Sequence, residues 1–507
     1  MIARGTLLVT RPAAVYAACA DMMRTLTLAL AIAAGALPVF GSPLFVHTSD
    51  DLWPEWIRLI SRSPLPAGTD VVRLPPDFDP PGAIATLSLE PTGRVVDVMP
   101  LVPVVQLGDE MRSATRGDVE RGAVRSLPLC AVTLPDVALP LEGVLPDQAG
   151  YPLHVNVTLR LERAEGQLLA WYSTLPAPSP LSIVWIQAVG DVMPARGVDE
   201  ALLGRDGLAR VFGDTLDLLR GSDLLLGNLE SSASEAGPPQ DKRYTFRFRP
   251  AAVGKLKEGG FSYLSLANNH TFDFGRESFL RTLAALSQWG IATSGAGADL
   301  PEASRPAVMR VGEQEVRVLA FGAFPPDSNG FDGHKVERAA DSRPGILWLD
   351  DQGLAIADRA FSGTKAFTIA FVHGGQEWSV TPSPEQKRLY RELIRHGACL
   401  VIGAHPHVLE GMEAIQGNLV AYSLGNFLFP GMGGTPGGQE SIILRLGVYE
   451  GKIRFVQAFP VRLSGGTVRR DADDGRIWRE LMARTRALGR LSPPPSEGWQ
   501  KKAREVF

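Results

Sequence analysis

The chain has little cysteine, few histidines and no excess of positive charge. Its three cysteines, Cys19, Cys130 and Cys399, are too few and too far apart for a disulfide framework or a cysteine-type zinc site. Cys130 and Cys399 are expected to be free thiols, with a disulfide between them as the open alternative. A formal net charge of -4 removes the basic field that nucleic-acid-binding proteins use, so we expect no nucleic-acid partner. An acidic ligand would need a local positive centre, such as metal ions.

Long hydrophobic runs are also scarce, and one of them resembles a leader. A single positive charge at Arg24 precedes an apolar core over 26–40 and small residues at 41–42. This pattern predicts an export signal within residues 1–43, with Met22 or Met23 as alternative start sites, and a periplasmic or cell-envelope location. The run is too short and too interrupted by glycine and proline for a comfortable membrane span. A buried N-terminal helix is the alternative interpretation.

Composition divides the remaining chain into three parts. Residues 46–180 contain many prolines and short apolar runs, which predict a separate β-rich or mixed α/β domain of unknown role, ending in a proline-rich linker at 175–180. Residues 181–463 alternate near-continuous apolar runs with helical segments such as 276–289 and 384–396, which predicts an α/β domain with a largely parallel sheet. Residues 464–507 are predicted to form a polar helical tail.

Potential metal ligands follow the ends of five predicted core strands. They are Asp191, Glu230, the pair Asn269 and His270, His373, and the pair His405 and His407. Loops beyond the carboxyl ends of strands converge on one crevice in an open α/β sheet. Oxygen and imidazole ligands together suit Zn, Mn or Fe. A single histidine at a strand end is more often structural, but five such groups at five strand ends favour a metal site.

The pair His405 and His407 is separated by one residue, Pro406. On a short extended segment both side chains share one face, and the proline restricts the backbone between them. We therefore expect the two imidazoles to point into the same site.

Two cationic features near these groups each have two interpretations. Arg196 comes shortly after Asp191 and is either an anion contact in a substrate pocket or a solvated loop arginine. The segment 244–249 alternates aromatic and basic residues, which an edge strand explains more simply than nucleic-acid binding.

These clusters belong to longer blocks that resemble a known family. The blocks are Gly190-Asp191-Val192-Met193, Gly227-Asn228-Leu229-Glu230, Asn268-Asn269-His270, His373-Gly374-Gly375-Gln376-Glu377-Trp378, Gly403-Ala404-His405-Pro406-His407 and Ser423-Leu424-Gly425-Asn426-Phe427. In order and spacing they resemble the CapA family of poly-γ-glutamate capsule synthesis proteins, a branch of the calcineurin-like metallophosphatases. The likeness does not extend to residues 46–180.

The resemblance implies a metallophosphatase-like α/β sandwich that holds two divalent metal ions, with Mn, Zn and Fe as candidates. The ligands that it implies are Asp191, Glu230, Asn269, His373, His405 and His407. It further implies that His270 is a general acid, that Asp273 and Glu377 orient the histidines, and that Asn426 lines the pocket.

The chain departs from the family pattern at two positions. Met193 stands where a histidine usually follows the first aspartate, which would leave one metal with fewer protein ligands. Gly374 stands where the family usually carries tryptophan, so we expect a more open rim.

The function that the resemblance implies is the synthesis, attachment or trimming of an anionic envelope polymer such as poly-γ-glutamate. Membrane-bound capsule synthesis machinery is the expected partner. Two alternatives remain open at this point, a general metal-dependent phosphoesterase and a non-catalytic module that binds the polymer.

Overall fold

The described part of the chain divides into two compact units. A computed structural model describes residues 44–49, 52–69, 71–74, 82–178, 181–326, 330–472 and 474–489. The predicted export segment lies outside these residues, as does the end of the predicted tail. Of the described residues, those up to Leu101 and those within Pro152–Leu181 form one unit, and those of Val102–Tyr151 and from Ser182 onward form the other. None of the helices in the described stretches combines the length and apolarity needed to cross a membrane.

The elements before residue 181 are mixed α/β. In chain order they are β1 (Leu44–His47), α1 (Trp53–Arg62), β2 (Val71–Leu74), β3 (Ala83–Ser88), β4 (Arg94–Gln106), α2 (Arg116–Glu120), β5 (Arg125–Pro128), a 3₁₀ turn (Leu129–Ala131), β6 (Asp136–Ala138), β7 (His154–Glu162) and α3 (Gly166–Thr174). In the first unit, β1 lies parallel to β2 and β3, and β7 lies antiparallel to β3 and β4.

The boundary between the units differs from the predicted one. Residues 46–180 were expected to form one domain, but the division falls within β4, and residues 102–151 group with the second unit. Backbone groups of this segment bind side chains from the far end of the chain. Trp478 donates its indole N–H to the carbonyl of Glu110 at 2.8 Å, and Arg486 donates to the carbonyl of Gly108 at 2.7 Å. Composition could not reveal these contacts because they join positions more than 360 residues apart.

The elements from residue 182 onward build the rest of the second unit. The strands are β8 (Val184–Val192), β9 (Leu224–Leu229), β10 (Ser232–Ala233), β11 (Arg247–Phe248), β12 (Tyr263–Ser265), β13 (Ala296–Gly297), β14 (Ala307–Val311), β15 (Gln314–Ala323), β16 (Gly345–Ile346), β17 (Phe367–Gly374), β18 (Leu400–Ala404), β19 (Met412–Ile415), β20 (Asn418–Ala421), β21 (Asn426–Leu428), β22 (Glu440–Tyr449), β23 (Lys452–Ser464) and β24 (Thr467–Arg470). The helices are α4 (Val198–Leu203), α5 (Gly207–Phe212), α6 (Leu216–Arg220), α7 (Ala251–Glu258), α8 (Gly275–Gln288), α9 (Leu300–Ala303), α10 (Gly333–Val336), α11 (Asp351–Phe361), α12 (Pro384–Arg395) and α13 (Asp474–Leu488), with a 3₁₀ turn at Gly213–Thr215.

Two large sheets carry the candidate site. The first has the order β12-β9-β8-β22-β23-β24, with β21 also paired to β8, and the second has the order β14-β15-β17-β18-β20-β19. Strands β12, β9, β8 and β21 run parallel, and so do β15, β17, β18 and β20. The remaining strands of both sheets are antiparallel. The unit is therefore α/β as expected, but its sheets are mixed and not largely parallel.

The two sheets share one apolar core. Alternate residues of β15, Val316, Val318 and Ala320, are buried in a cluster that also contains Ile186 of β8. The residues between them, such as Leu319, join a second cluster with the side chains of α11 and α12. Because successive strand residues face opposite sides, the second sheet packs on the first with one face and on helices with the other.

Helix α12 begins where its sequence predicts a start. The Ser383 side chain caps the helix by accepting a hydrogen bond from the backbone N–H of Gln386, and the Gln386 side-chain oxygen in turn accepts one from the backbone N–H of Ser383. Pro384 occupies the first turn. Leu389 and Leu393 then lie on the buried face of the helix. The spacing of four residues between Leu389 and Leu393 fits the period of a helix, which is why a helix could be predicted here.

The C-terminal helix differs from the predicted polar tail. α13 buries Ile477, Trp478, Leu481 and Met482 in the main core cluster. Its spacing of four residues between Ile477 and Leu481 and between Trp478 and Met482 places them on one face. Cys130 and Cys399 are not joined to each other by a disulfide bond.

Candidate metal centre

The residues predicted from strand ends lie together in the structure. Asp191 is at the end of β8, Glu230 follows β9, His373 is near the end of β17, and His405 follows β18. Asp191, Glu230 and His373 are fully buried, and Asn269, His270, His405 and His407 are nearly so. Both sheets contribute to the cluster, so it forms only where their strand ends meet.

Glu230 is at the centre of this cluster. Its Oε1 atom lies 3.7 Å from His407 Nε2, 3.8 Å from His373 Nε2 and 3.9 Å from His270 Nε2. Both carboxylate oxygens are buried without a hydrogen-bond partner among the described residues. An unpaired buried carboxylate is costly, and imidazole nitrogens and carboxylate oxygens are donors that transition-metal cations accept. The residues present therefore fit a metal ion.

Asp191 approaches the same point from the first sheet. Its Oδ2 atom lies 3.2 Å from His407 Nδ1, and its Oδ1 atom accepts a hydrogen bond from Asn228 Nδ2 at 2.8 Å. Asn228 Nδ2 also lies 3.0 Å from His373 Nδ1. One candidate ligand atom from each of Asp191, Glu230 and His373 falls within 4.8 Å of the others. This buried carboxylate and imidazole group could hold a metal ion.

His373, Asn269 and His405 form the other side of the cluster. Asn269 Oδ1 lies 2.8 Å from His373 Nε2, and His405 Nδ1 lies 3.1 Å from the same nitrogen. His405 Nε2 is buried without a hydrogen-bond partner among the described residues. Candidate ligand atoms of His373, Asn269 and His405 thus lie close to one another.

Protonation follows from burial and from the neighbouring groups. Burial, with the charge of Asp191 second, raises the pKa of Glu230 well above its usual value. Burial lowers the pKa of His405 to about 3, and it lowers that of His373 well below the usual range. These imidazoles are therefore neutral near pH 7, which is the form that binds metal.

Asp191 and His407 form an ion pair beside these neutral groups. Burial alone would raise the pKa of Asp191, but the hydrogen bond and charge of His407 outweigh it and lower the value. Burial likewise opposes the charge of His407, and the hydrogen bond to Asp191 reverses that effect and raises the pKa of His407. The two shifts have one cause, the pairing of opposite charges.

The backbone at the histidine pair differs from the expected extended segment. His405 has φ 98° and His407 has φ 60°, so both lie in the left-handed region that residues with a side chain seldom adopt. The two rings still enter one site, with centroids 6.2 Å apart. The sharp turn after β18, and not an extended face, brings them together, and such strain is typical of functional sites.

His270 is oriented by Asp273. Its Nδ1 atom lies 2.7 Å from Asp273 Oδ2, which leaves Nε2 directed at Glu230. Asp273 also accepts hydrogen bonds from Lys242 Nζ at 2.7 Å and from the backbone N–H of Phe246 at 2.6 Å. Burial lowers the pKa of His270, although the charge of Asp273 opposes this effect. The sequence analysis assigned no role to Lys242, which no pattern marks, or to Asn228, which lies in the same block as Glu230.

The other predicted site residues lie around this cluster. Asn426 places Oδ1 2.9 Å from His407 Nδ1 and donates from Nδ2 to the His407 carbonyl at 3.1 Å, so it holds this histidine. Glu377 is exposed after β17 and forms no hydrogen bond with the described residues, and thus it does not orient a histidine by contact. Its charge nevertheless contributes to the raised pKa of Glu230. Arg196 is exposed and packs on Phe246.

The two departures from the family pattern have structural explanations. Met193 is fully buried in the apolar core and supplies no ligand atom to the group of Asp191, Glu230 and His373. Gly374 does not open the rim as expected. A Cβ atom at this position would lie 2.7 Å from the carbonyl oxygen of Ala323, so the glycine permits close approach of β15 and β17. Trp378, four residues later, supplies an aromatic wall with its ring centroid 5.2 Å from that of His407.

Fold and site together define an α/β protein whose strand ends gather carboxylates, an amide and imidazoles into a candidate metal centre. Residues 185–431 match the family described as bacterial capsule synthesis protein PGA_cap. The chain is 27% identical over 304 residues to the capsule biosynthesis protein CapA of Bacillus anthracis, covering 58% of this chain and 71% of that protein. It is 29% identical over 246 residues to the PGA biosynthesis protein CapA of Bacillus subtilis (strain 168), covering 48% of this chain and 62% of that protein.

The resemblance noted in the sequence is therefore confirmed. Over residues 185–431 the chain is similar to the PGA_cap/CapA family, and it is a distant homologue of capsule synthesis proteins. The match covers less than two-thirds of the Bacillus subtilis protein. Among solved structures, a novel phosphatase from Mycoplasma pneumoniae aligns with a TM-score of 0.34 at 13% identity, covering 58% of this chain and 96% of that one. A TM-score this low carries no argument about activity.

Proposed function

We propose that the chain is an exported, metal-dependent hydrolase that acts in the synthesis, attachment or trimming of an anionic envelope polymer such as poly-γ-glutamate. Similarity to the PGA_cap/CapA family supports the assignment of this polymer. The observation that carries the hydrolytic part is the unpaired, buried carboxylate of Glu230 among three imidazoles, next to the oriented His270. An export signal within residues 1–43 and a membrane-bound synthesis partner are parts of the same proposal.

The proposed centre holds two divalent ions, with Mn, Zn and Fe as candidates. The residues that would hold them are Asp191, Glu230, Asn269, His373, His405 and His407, in a calcineurin-like α/β sandwich. When bound, such ions would act as Lewis acids on a phosphoryl or acyl oxygen of the substrate. The buried acids and neutral imidazoles supply the donors, and Asn228 and Asn426 fix the orientation of His373 and His407.

His270 is the proposed general acid. Nδ1 of His270 is hydrogen-bonded to Asp273. A proton that is available for transfer must therefore be on Nε2, the nitrogen that faces the cluster. Asp273 holds the ring in this orientation, and Lys242 compensates the charge of the aspartate. The leaving alkoxide or amine would receive the proton from Nε2.

The test combines metal analysis with two substrates. Purified protein is assayed for metal content, for cleavage of poly-γ-glutamate and for hydrolysis of bis-p-nitrophenyl phosphate. We expect bound divalent metal and metal-dependent shortening of the polymer, both retained in a His396→Ala control. His396 is a suitable control because it lies at the end of α12 and contacts Asp358.

The other outcomes identify the alternatives. Rapid turnover of the phosphodiester without polymer cleavage would replace the proposal with a general phosphoesterase. Tight polymer binding without turnover of either substrate would replace it with a binding module, for which the buried Met193 in place of a ligand would be the structural reason. Absence of bound metal after reconstitution with Mn, Zn and Fe would overturn the metal centre itself.

A further inference from the structure

A segment beside the metal centre carries aromatic and cationic side chains in alternation. Tyr244 and Phe246 have nearly parallel rings, with an interplanar angle of 10° and centroids 6.5 Å apart. Phe246 is buried, whereas Tyr244 is 51% exposed. The edge strand expected from the sequence is limited to Arg247–Phe248, so it does not explain this pair of rings.

Arg196 is anchored against these two rings. Its guanidinium carbon lies 4.8 Å from the centroid of Phe246 and 6.0 Å from that of Tyr244. Nη1 donates to the carbonyl of Pro430 at 2.9 Å. Gly431 leaves space for the guanidinium, since a Cβ atom there would lie 2.5 Å from Nη1. The arginine also has φ 56°, so backbone and side chain are both held in place.

A second arginine joins Arg196 at the exposed ring. The guanidinium carbon of Arg243 lies 5.2 Å from the centroid of Tyr244. Among the described residues neither arginine forms a salt bridge, whereas the neighbouring Arg249 is paired with Asp199 at 2.9 Å. The two positive charges beside one ring lack a carboxylate partner in the described part of the chain, and a bound anion would supply the compensating charge. Within the described part of the chain, Arg196 uses one N–H for the carbonyl of Pro430, and a guanidinium group has further N–H donors for such an anion.

Aromatic contacts connect this pair of arginines to the metal centre. The ring of Phe246 lies 4.4 Å from that of His270 and 5.6 Å from that of Phe429. Phe429 in turn lies 5.0 Å from His407. Arg196 is thus separated by one ring, Phe246, from the proposed general acid.

We infer that Arg196 and Arg243, with the rings of Tyr244 and Phe246, form a second anion subsite next to the metal centre. This inference rests on the proposed function, which places the reacting group of the substrate in the metal centre. It adds a second feature of the substrate. The substrate is a chain with repeated anionic groups, of which one enters the metal centre and a neighbouring one binds the two guanidinium groups. A substrate with a single anion leaves this subsite empty.

Binding of a length series tests the subsite independently of turnover. γ-Linked oligoglutamates, from the monomer upward, are titrated calorimetrically into the full-length, metal-loaded protein and into Arg196→Ala, Arg196→Lys and Arg243→Ala variants. Short inorganic polyphosphates form a second arm that separates carboxylate from phosphate chains. Arg247→Ala is the matched control, because Arg247 is an exposed arginine of the same segment that packs on Phe274 instead.

We expect affinity to rise with length for one of the two series and then to level off. Arg196→Ala and Arg243→Ala should each lose roughly five- to tenfold of the gain, with monomer binding, metal content and melting temperature unchanged. Arg196→Lys should recover part of it, since lysine keeps the charge but not the planar donor pair. A larger gain with polyphosphate than with oligoglutamate would assign the subsite to phosphate chains.

Two results would overturn the subsite. One is a wild-type affinity that does not depend on length in either series. The other is an equal loss in Arg247→Ala, which would show general charge attraction without a defined site. A protein that binds by length but hydrolyses nothing would retain the subsite and reject the proposed hydrolysis, so the two failures are distinguishable.

Discussion

Two of the carboxylates that the second unit buries, Glu230 and Glu410, have different surroundings. Glu230 has three imidazole nitrogens within 3.9 Å of Oε1 and no hydrogen bond to either oxygen among the described residues. Glu410 is also buried, but its Oε2 accepts a hydrogen bond from the side-chain amide of Gln386 at 2.8 Å. Burial is the first cause of the raised pKa in both residues.

The difference teaches what each acid is suited to bind. A proton neutralises Glu410, and the side-chain amide of Gln386 donates to its Oε2. The neutral imidazole of His373 beside Glu230 has a nitrogen lone pair that a proton on the carboxyl leaves unused, and a cation would bind the carboxylate and this nitrogen together. The four predictions that follow test this comparison, from the largest expected effect to the smallest.

The strongest test of this comparison removes two histidines with different predicted roles, a proposed metal ligand and the proposed general acid. His405→Ala should lose bound metal, because His405 is a proposed ligand. His270→Ala should keep metal and lose on the order of 10²–10⁴ in turnover, as expected for a missing general acid. Metal stoichiometry, turnover and melting curves of both variants decide the matter, with His396→Ala as control. Equal metal loss and equal destabilisation in the two variants would show that both histidines are merely structural.

A pH titration of stability tests Glu410. Its folded pKa of about 8 is above the ordinary value of 4.5, so the native state holds the proton more tightly than the unfolded state. The resulting stability is present below pH 4.5 and is lost as the pH rises to about 8, by at most about 5 kcal/mol. Glu410→Gln should abolish this part of the slope in denaturant unfolding curves. A wild-type and a variant with the same slope would show that Glu410 is ionised in the native state.

Exchange of Glu230 for its neutral isostere separates the two acids further. In metal-depleted protein, Glu230→Gln should be at least as stable as wild type, because it removes a buried group that resists ionisation. Metal at one hundred times its dissociation constant should stabilise wild type by about 2.7 kcal/mol and leave the variant unaffected. Thermal melts with and without metal measure both effects, and Glu410→Gln serves as the control that keeps the metal response. A full metal response in Glu230→Gln would exclude Glu230 as a ligand.

The smallest effect is expected at the rim. Trp378 is 41% exposed and packs on His407, so Trp378→Ala should leave metal content unchanged and alter stability by no more than about 0.5 kcal/mol. Its loss should weaken polymer binding by roughly fivefold, since an exposed ring contributes on the order of 1 kcal/mol to contacts. Calorimetric titration provides the number. A loss of metal in this variant would place the tryptophan in the support of His407.

Sequence alone determined the α/β class of the second unit, its main strands and helices, and the residues of the candidate centre. The reason is local, because long apolar runs mark buried strands and each ligand group comes directly after such a run. Asp191, Glu230 and His373 could therefore be selected without coordinates. The family resemblance rested on the same blocks and was confirmed by comparison.

Tertiary structure decided what depends on distant parts of the chain. Residues 102–151 join the second unit through contacts with α13, and α13 itself is a buried helix and not a polar tail. Lys242 supports the centre although no sequence pattern marks it, and Asn228 supports it although only Glu230 of the same block was predicted to be a ligand. Glu377 is exposed, although the sequence predicted that it orients a histidine. Three local features also depend on the packing of the two sheets and their loops. They are the backbone turn at His405 and His407, the close approach of Gly374 to Ala323, and the packing of Arg196 on Phe246. Such packing joins residues that are far apart in sequence, so local sequence patterns do not predict it.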